Sequence, residues 1–565
     1  MSTTSERISL DAILADESLS PHRRVMAGDA LRYELMRDGA RPLAESVAAQ
    51  VIEIGTPALQ TLDKQENQEV YDALERAYIT RAHNDFHSYM IALEWRRPAK
   101  SRFYQPRMMV LREVADALTD LMVNDLYDIV LFSMPVRVGK SALGIFFLSW
   151  CIGRKSDSPI LATGYAEKIT KMFYHGLLEI WEDPDYNYRE IFPLLNLVNT
   201  SANDLTLDFR DDGKESTRKY KSITCRAIDG SLTGATEARQ LLYCDDLVRD
   251  IEEALSPSRL QTLQEKFTTN VRSRKKQGCK ELHIGTRWSI HDPIGVVERQ
   301  NEDNPRCKVI RLPALDPDTD ESNFNYAYDI GFDTAFYRET RKNEDDVTWQ
   351  CVYQQQPVER EGLLFPSESL IYAQSLPDFE HNPPDDIFAF CDVAFGGIDT
   401  LSMPIAAQWG DDAPVVFDVV FKNGDYKVTE PLVAGTLISQ GVRRAVFESN
   451  NGGEFYAKDI NDILRERGYQ MFLVAQRAPS DKSKETRIIQ HSPAIKEFTF
   501  LDPSSDLASA MYRSFMAQLT SYTPYSGGAK KHKNKDDAPD SLAGLASMMR
   551  QNLNATLTVY DRKHI

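Results

Sequence analysis

At 565 residues the chain is longer than one hydrophobic core supports, so two or three domains are expected. A composition 42% apolar and 27% charged excludes an intrinsically disordered chain, and no uninterrupted apolar run is long enough to cross a bilayer. The net charge of −18 disfavours attraction of the whole molecule to nucleic acid, so any such contact must come from local basic patches.

The first twenty residues have neither a basic start nor an apolar centre, so no secretory signal is expected. Residues 1–100 carry Leu/Ala/Glu/Arg-rich periodic stretches, among them Ser46 to Ile54 and Gln68 to Leu93, and predict a helical N-terminal extension, a lid or docking appendage, ended by Pro98. From Phe103 to Met122 apolar residues recur at helical spacing. Gln105, at the head of this helix, is a candidate for reading an adenine edge, with a plain loop glutamine as the alternative.

Ile129 to Phe132 reads as a short buried strand. A tight connection follows, closed by Gly139-Lys140-Ser141, and then an apolar-faced helix from Ala142 to Trp150. Strand, loop, Gly-Lys-Ser and helix together are the context in which backbone N–H groups cradle phosphates. Lys140 would reach the β/γ-phosphates and the Ser141 hydroxyl would sit on Mg²⁺. Met134 stands where the common motif has its first glycine.

A second strand, Pro159 to Gly164, and a helix from Ala166 to Trp181 continue an alternation that predicts a parallel sheet with right-handed crossovers. Residues Asn203 to Ile228, turning at Asp211-Asp212-Gly213, predict a hairpin insertion. The apolar run from Arg239 then ends in Asp245 and Asp246. Behind a phosphate loop the first carboxylate would complete the Mg²⁺ shell opposite Ser141, and the second would polarise the attacking water. Ser256-Pro257 opens a helix whose far end carries Arg272, Arg274, Lys275, Lys276 and Lys280, a basic patch or a solvated face. Glu281 to Thr286 is another strand, and a polar residue at its end could sense a γ-phosphate.

Residues 326–366 are expected to link to a second domain. There a strand from Ile387 ends at Asp392. Two further strands, Met403 to Trp409 and Ala413 to Phe421, are joined by Gly410-Asp411-Asp412. A helix (Val428 to Ser439), a strand ending at Glu448, a helix (Glu454 to Arg467), a strand (Gln470 to Val474), a helix (Leu507 to Leu519) and a last helix from about Pro539 complete the order of an RNase H-like fold. Lys535-Asp536-Asp537-Ala-Pro-Asp540 precedes the last helix. Carboxylates from the first strand, the fourth strand and this last helix would converge on one sheet edge, where they repel unless a cation lies between them. Two ions about 4 Å apart suit in-line phosphodiester hydrolysis. Lys482, Lys484 and Arg487, with Lys530, Lys531, Lys533 and Lys535, are suited to phosphate contacts. The seven cysteines are scattered without a Cys-x-x-Cys pair, which argues for a reducing compartment and against a zinc ribbon or disulfide framework.

Over roughly residues 100 to 550 these elements in order resemble the large terminase subunit of tailed bacteriophages. Met134 to Ser141, MPVRVGKS, is similar to that family's phosphate loop, with Arg137 at its arginine. Gly230 to Gly234 resembles the approach to the acidic strand, Gly285 to Asp292 the coupling motif with Thr286 at its centre, and Tyr353 to Pro357 the segment entering the nuclease. Asp392, Glu448 and Asp537 fall on the metal-binding acidic positions, with Asp536 beside the third.

The resemblance implies a helical extension over 1–100, a RecA-like (ASCE) phosphate-loop ATPase over 101–325, a linker over 326–366 and an RNase H-like nuclease over 367–565. It implies ATP and Mg²⁺ at the first site, Mg²⁺ or Mn²⁺ at the second as a pair of ions, and double-stranded DNA as substrate. The expected partners are a portal protein, a small terminase subunit and further copies in a ring around a chain that is monomeric before assembly. The expected setting is the host cytoplasm, docked transiently on a procapsid and absent from the mature virion. A cellular helicase-nuclease of DNA repair would instead need a second RecA-like domain after Trp288. A non-enzymatic DNA-binding scaffold would not need intact Lys140, Ser141, Asp245 and the acidic set.

Overall fold

The structure, a computed structural model, describes residues 4–213, 219–230, 236–358, 362–394, 400–477, 483–524 and 535–553. The chain divides into two compact units, Met1–Tyr337 with Gln350–Val358, and Arg338–Trp349 with Glu359–Ile565. Residues 326–366 are thus shared between the two, and they hold a helix, Thr334–Asn343. Among the described residues no helix is long and apolar enough to cross a membrane.

The first unit opens with helices α1 (Thr4–Ala15), α2 (Pro21–Arg37), α3 (Arg41–Ala58), α4 (Lys64–Ala82) and α5 (Phe86–Leu93). Their starts are written locally: Ser20 caps α2 ahead of a proline in the first turn, and Asp63 caps α4 by accepting from two backbone N–H groups. After α6 (Tyr104–Met122) come β1 (Ile129–Ser133), α7 (Lys140–Arg154), β2 (Ile160–Gly164) and α8 (Glu167–Glu182). The unit continues through β3 (Leu195–Ser201), β4 (Thr206–Asp211), β5 (Ile223–Ala227), β6 (Leu241–Asp245), α9 (Pro257–Lys266), β7 (Lys280–Gly285), α10 (Pro293–Gln300) and β8 (Cys307–Arg311).

The sheet order is β3-β4-β5-β2-β6-β7-β1-β8, with the six strands from β5 to β8 mutually parallel. Strands β1, β2 and β6 are buried along their whole length, as a parallel sheet covered on both faces requires. One strand, β7, separates the phosphate-loop strand β1 from the acidic strand β6, a RecA-like arrangement. The expected hairpin insertion starts earlier than residue 203: β3, at the sheet edge, and β4 pair antiparallel across residues 202–205, and β4 then pairs antiparallel with β5. Asp211 ends β4, and Asp212-Gly213 turn after it at the start of the connection to its antiparallel partner β5.

The N-terminal helices are built into the same core as α7. Trp150 donates its indole N–H to the Ala82 carbonyl at 2.7 Å, the Tyr89 and Ser149 hydroxyls meet at 2.6 Å, and the Phe86 ring packs 5.3 Å from Phe147 and 5.2 Å from Trp150. Each of these aromatic burials contributes about 1.5–3 kcal/mol.

The second unit contains β9 (Ile371–Ala373), β10 (Asp386–Cys391), β11 (Leu401–Gln408), β12 (Val415–Lys422), α11 (Tyr426–Ser439), β13 (Arg444–Glu448) and α12 (Gly453–Glu466). It ends with β14 (Phe472–Gln476), α13 (Lys484–Glu497), β15 (Thr499–Leu501), α14 (Ala510–Thr520) and α15 (Asp537–Leu553). The sheet order β14-β13-β10-β11-β12-β15-β9 contains an antiparallel meander, β10 to β12, with β13 and β14 added parallel beside β10. This is the RNase H-like order, extended at the β12 edge by β15 and β9, which sequence reading did not anticipate.

Alternation along the strands divides the core in two. Ile387, Ala389 and Cys391 pack with α11 and α12, whereas Phe388 and Phe390 face α13, α14 and α15. Helix α15 approaches β10 so closely that a Cβ on Gly544 would lie 2.2 Å from the Phe390 ring. Gly544→Ala is therefore expected to destabilise this unit by about 1–3 kcal/mol through overpacking, read as a lowered midpoint in chemical denaturation. An unchanged midpoint would show that the helix can move away without cost.

Candidate functional site

In the first unit the turn between β1 and α7 is held by Gly139, at φ +111°, which caps a fifteen-residue helix and directs its free N–H groups into the loop. Lys140 is buried, and its ammonium donates to the Pro135 carbonyl at 2.8 Å and to the Thr286 hydroxyl at 2.7 Å. It also lies 3.8 Å from the Asp246 carboxylate. The other Asp246 oxygen accepts the Thr286 backbone N–H at 2.7 Å. Residues from three separate strand ends thus close on one another: the loop lysine after β1, the acid after β6 and the threonine after β7.

Asp246 at φ +38° and Arg137 at φ +65° both occupy the left-handed region without being glycine, each at a cost of about 1–3 kcal/mol. Arg137 is exposed on the loop. Asp245 is fully buried, and neither of its carboxylate oxygens accepts a hydrogen bond of ordinary geometry. Burial and the neighbouring Asp246 charge push its pKa up to about 7, against the opposing pull of the Ser141 hydroxyl and the Lys140 ammonium. An orphaned acid beside Ser141 and a phosphate loop fits a hard divalent cation held by Asp245 and Ser141. Gln105 is exposed in the first turn of α6, where its carbonyl oxygen accepts from Arg102. Of the Gly230 to Gly234 segment, residues 231–234 lie outside the described residues.

The strand end at Thr286 continues into a buried network that sequence reading missed. Arg287, 2% exposed, pairs with Asp292 at 3.0 Å and with Glu298 at 3.2 Å, while Asp292 also caps α10. The Arg287 backbone N–H donates to the side-chain oxygen of Gln355 at 3.2 Å. Gln355 is wholly buried at φ +57°, within the Tyr353 to Pro357 motif. Gln355→Ala would leave that N–H unsatisfied and is expected to cost about 1–3 kcal/mol, measured as a lowered unfolding free energy. A variant as stable as the parent would mean that the bond is dispensable.

The basic patch after α9 is largely neutralised. Lys275 and Arg272 reach buried Glu281 at 2.6 and 3.5 Å, and Lys280 is held by Asp128 at 2.8 Å and by Asp125. Sequence reading saw the cations but not the carboxylates that the fold sets against them.

In the second unit, Cys391 on β10 stands opposite Phe447 on β13, so Asp392 and Glu448 are neighbours one residue further on. Alternation turns both towards the face covered by α13 and α15. There the Lys484 ammonium lies 3.3 Å from Asp392 and 3.0 Å from Asp540, and Arg487 lies 3.0 Å from Asp540 and 3.6 Å from Glu448. Lys484 and Arg487 are three residues apart on α13, capped by Ser483, and so present one face. Burial raises the Asp392 pKa to about 7, with Asp540 and Glu448 adding to the effect and Lys484 opposing it. Burial works against the Lys484 charge, but Asp392 and Asp540 outweigh it and raise its pKa.

Asp540, noted in the sequence without a role, is thus the α15 carboxylate tied to Lys484 and Arg487. Asp537 is buried in the first turn of the same helix, and its charge is felt by Asp536, whose pKa is raised chiefly by burial. Helix α13 was not anticipated, because Pro493 reads as a break inside its pattern. Lys482, Lys530, Lys531 and Lys533 lie outside the described residues. Among the described residues no group of three or more His, Cys, Asp and Glu side chains is gathered closely enough to hold a metal ion. At the acidic edge the positions between carboxylates are taken by the two cationic side chains. Hard carboxylate oxygens are the donor type that Mg²⁺ and Mn²⁺ prefer.

No protein-family model matches the chain, and no curated protein matches it. Among solved structures, the large terminase from the thermophilic bacteriophage D6E is similar at 12% identity and a TM-score of 0.42, over 79% of this chain and 98% of that one. Its complex with ATP-γ-S gives 12% identity and a TM-score of 0.40, over 78% and 98%. The nuclease domain of the large terminase subunit gp2 of bacterial virus Sf6 is similar at 12% identity and a TM-score of 0.22, over 29% of this chain and 88% of that one. Likenesses of this size bear on neither activity nor partners.

Proposed function

We propose that the chain is the ATPase and nuclease of a viral DNA-packaging motor, moving double-stranded DNA into a procapsid with its first unit and cutting concatemeric DNA with its second. The observation that supports this reading most is the pairing, on one chain, of a phosphate loop whose lysine touches Thr286 and faces Asp246 with an RNase H-like sheet edge that gathers Asp392, Glu448 and Asp540. The RNase H-like order of the second sheet weighs against a helicase with a second RecA-like domain.

In this reading ATP lies on the α7 N-terminus, with Gln105 at its base and Arg137 at its phosphates, and Lys140 exchanges its loop carbonyls for phosphate oxygens. Asp246 is held by the Thr286 N–H through one oxygen and uses the other to accept a proton from the attacking water. Thr286, bonded to the lysine on one side and continuous with the Arg287–Gln355 contact on the other, carries the loss of the γ-phosphate into the segment after Tyr353. Ser141 and Asp245 would hold Mg²⁺ at this site; Asp392, Glu448 and Asp540, with Asp536 and Asp537 beside them, would hold Mg²⁺ or Mn²⁺ at the other. Bound there, such ions neutralise phosphate charge and activate water for in-line displacement. Lys484 and Arg487 present positive charge where a backbone phosphate would approach.

The neutralised basic patch and the net charge of −18 support weak, salt-sensitive DNA binding by a single subunit. A grip strong enough for packaging then comes from a ring of copies with portal and small subunit. The test is one preparation given ATP, and separately supercoiled plasmid with Mn²⁺. Both phosphate release and nicking or linearisation are expected, and the absence of either would refute the corresponding half.

A further inference from the structure

We infer that Arg107 is a nucleotide-contacting residue of the first unit, the counter-cation for a polyphosphate at the Gly139 turn. The inference deepens the ATP-binding reading and rests on it.

The start of α6 is fixed over the phosphate loop by a buried acid. Glu94, 2% exposed, accepts the Phe103 N–H at 2.7 Å and the Tyr104 N–H at 2.9 Å, which pins the first turn. That turn lies directly against Gly139: a Cβ there would be 2.7 Å from the Phe103 ring and 3.4 Å from Arg107 Nε. The guanidinium therefore stands beside the residue that opens the phosphate-binding helix, on an element far from the loop in sequence.

Its partners are the second observation. Arg107 stacks 4.7 Å over the Phe103 ring and 5.1 Å over the Tyr326 ring, and donates through Nη1 to the Phe103 carbonyl at 2.8 Å. Its buried Nε has no hydrogen-bond partner, and the described residues give it no carboxylate. Burial lowers its pKa, with only minor compensation from Tyr326 and Glu94. Buried Arg287 in the same unit has Asp292 and Glu298, and Arg154, which also lacks an acid, divides its N–H groups between the His83 and Met122 carbonyls. A half-buried guanidinium without an anion is better satisfied when an anion arrives, and this one stands beside the turn built for phosphate. The two rings hold it ready and so limit the ordering cost on binding.

The experiment measures displacement of a fluorescent ATP analogue by ATP-γ-S and by tripolyphosphate, for the full chain and for Arg107→Met, Arg107→Lys and Lys140→Ala. Arg107→Met keeps the stem between the rings and removes the charge. It is expected to weaken both competitors by about tenfold or more, with Arg107→Lys recovering part of the loss. Unchanged tripolyphosphate affinity in Arg107→Met, with Lys140→Ala impaired, overturns the inference and leaves the ATP-binding reading standing. Unchanged affinity in both variants overturns the reading itself. Should Arg107→Met fail to fold, Arg107→Gln takes its place: a folded Arg107→Gln with tripolyphosphate affinity weakened by about tenfold supports the charge contact, and one with parent-like affinity overturns it.

Discussion

Lys140→Ala is expected to remove ATP hydrolysis, by at least about 10²- to 10³-fold, and to leave Mn²⁺-dependent DNA cleavage at the parent rate. The ammonium is positioned from three directions, by the Pro135 carbonyl, the Thr286 hydroxyl and the Asp246 charge at 3.8 Å, so nothing nearby can replace it when it is cut back to a methyl group. Its removal also unties Thr286, and the variant loses the contact through which the strand end would register the γ-phosphate. In the proposed reading cleavage is spared because the acids assigned to it lie in the second unit, at the ends of β10 and β13 and on α15. The measurement is phosphate release and plasmid linearisation on the same preparation. Hydrolysis that survives the change would remove the phosphate loop from the mechanism.

The second large effect is expected at Asp540. Asp540→Asn keeps the shape of the side chain but removes the charge that Lys484 meets at 3.0 Å and Arg487 meets at 3.0 Å. DNA cleavage should fall by about 10²-fold or more with ATP hydrolysis unchanged, as it should for Asp392→Ala. Asp537→Asn, one turn earlier on α15, should cost less. Breaking a buried ion pair is destabilising, but Lys484 is half exposed, so the loss of stability is screened and the comparison is made at a temperature where both variants are folded. A full loss in Asp537→Asn with cleavage intact in Asp540→Asn would reverse the assignment on this helix.

The difference between these two acids shows why part of the site was legible in sequence and part was not. Asp392 and Glu448 end strands, and strand ends announce themselves by an apolar run that stops. Asp536, Asp537 and Asp540 sit within five residues, and spacing alone cannot say which of them a helix turns towards the sheet. Nothing local to Gln355 or Arg107 names its partner: one is a glutamine in a polar motif, the other an arginine on an amphipathic helix, and each acquires its meaning from a residue far away in the chain. The basic run from Arg272 to Lys280 could be read as a patch or a solvated face, and only the folded chain brings Glu281, Asp125 and Asp128 to it.

By itself the sequence determined most of the elements (α13, β9 and β15 excepted), the loop with its lysine and serine, and the acids that close three strands, because helix and strand periods, caps and glycine turns are properties of neighbouring residues. The tertiary structure decided which strand lies beside which, which face of β10 and β13 the carboxylates take, and which cations they meet there. Those outcomes depend on the relative position of segments dozens to hundreds of residues apart, and short-range chemistry carries no information about that distance.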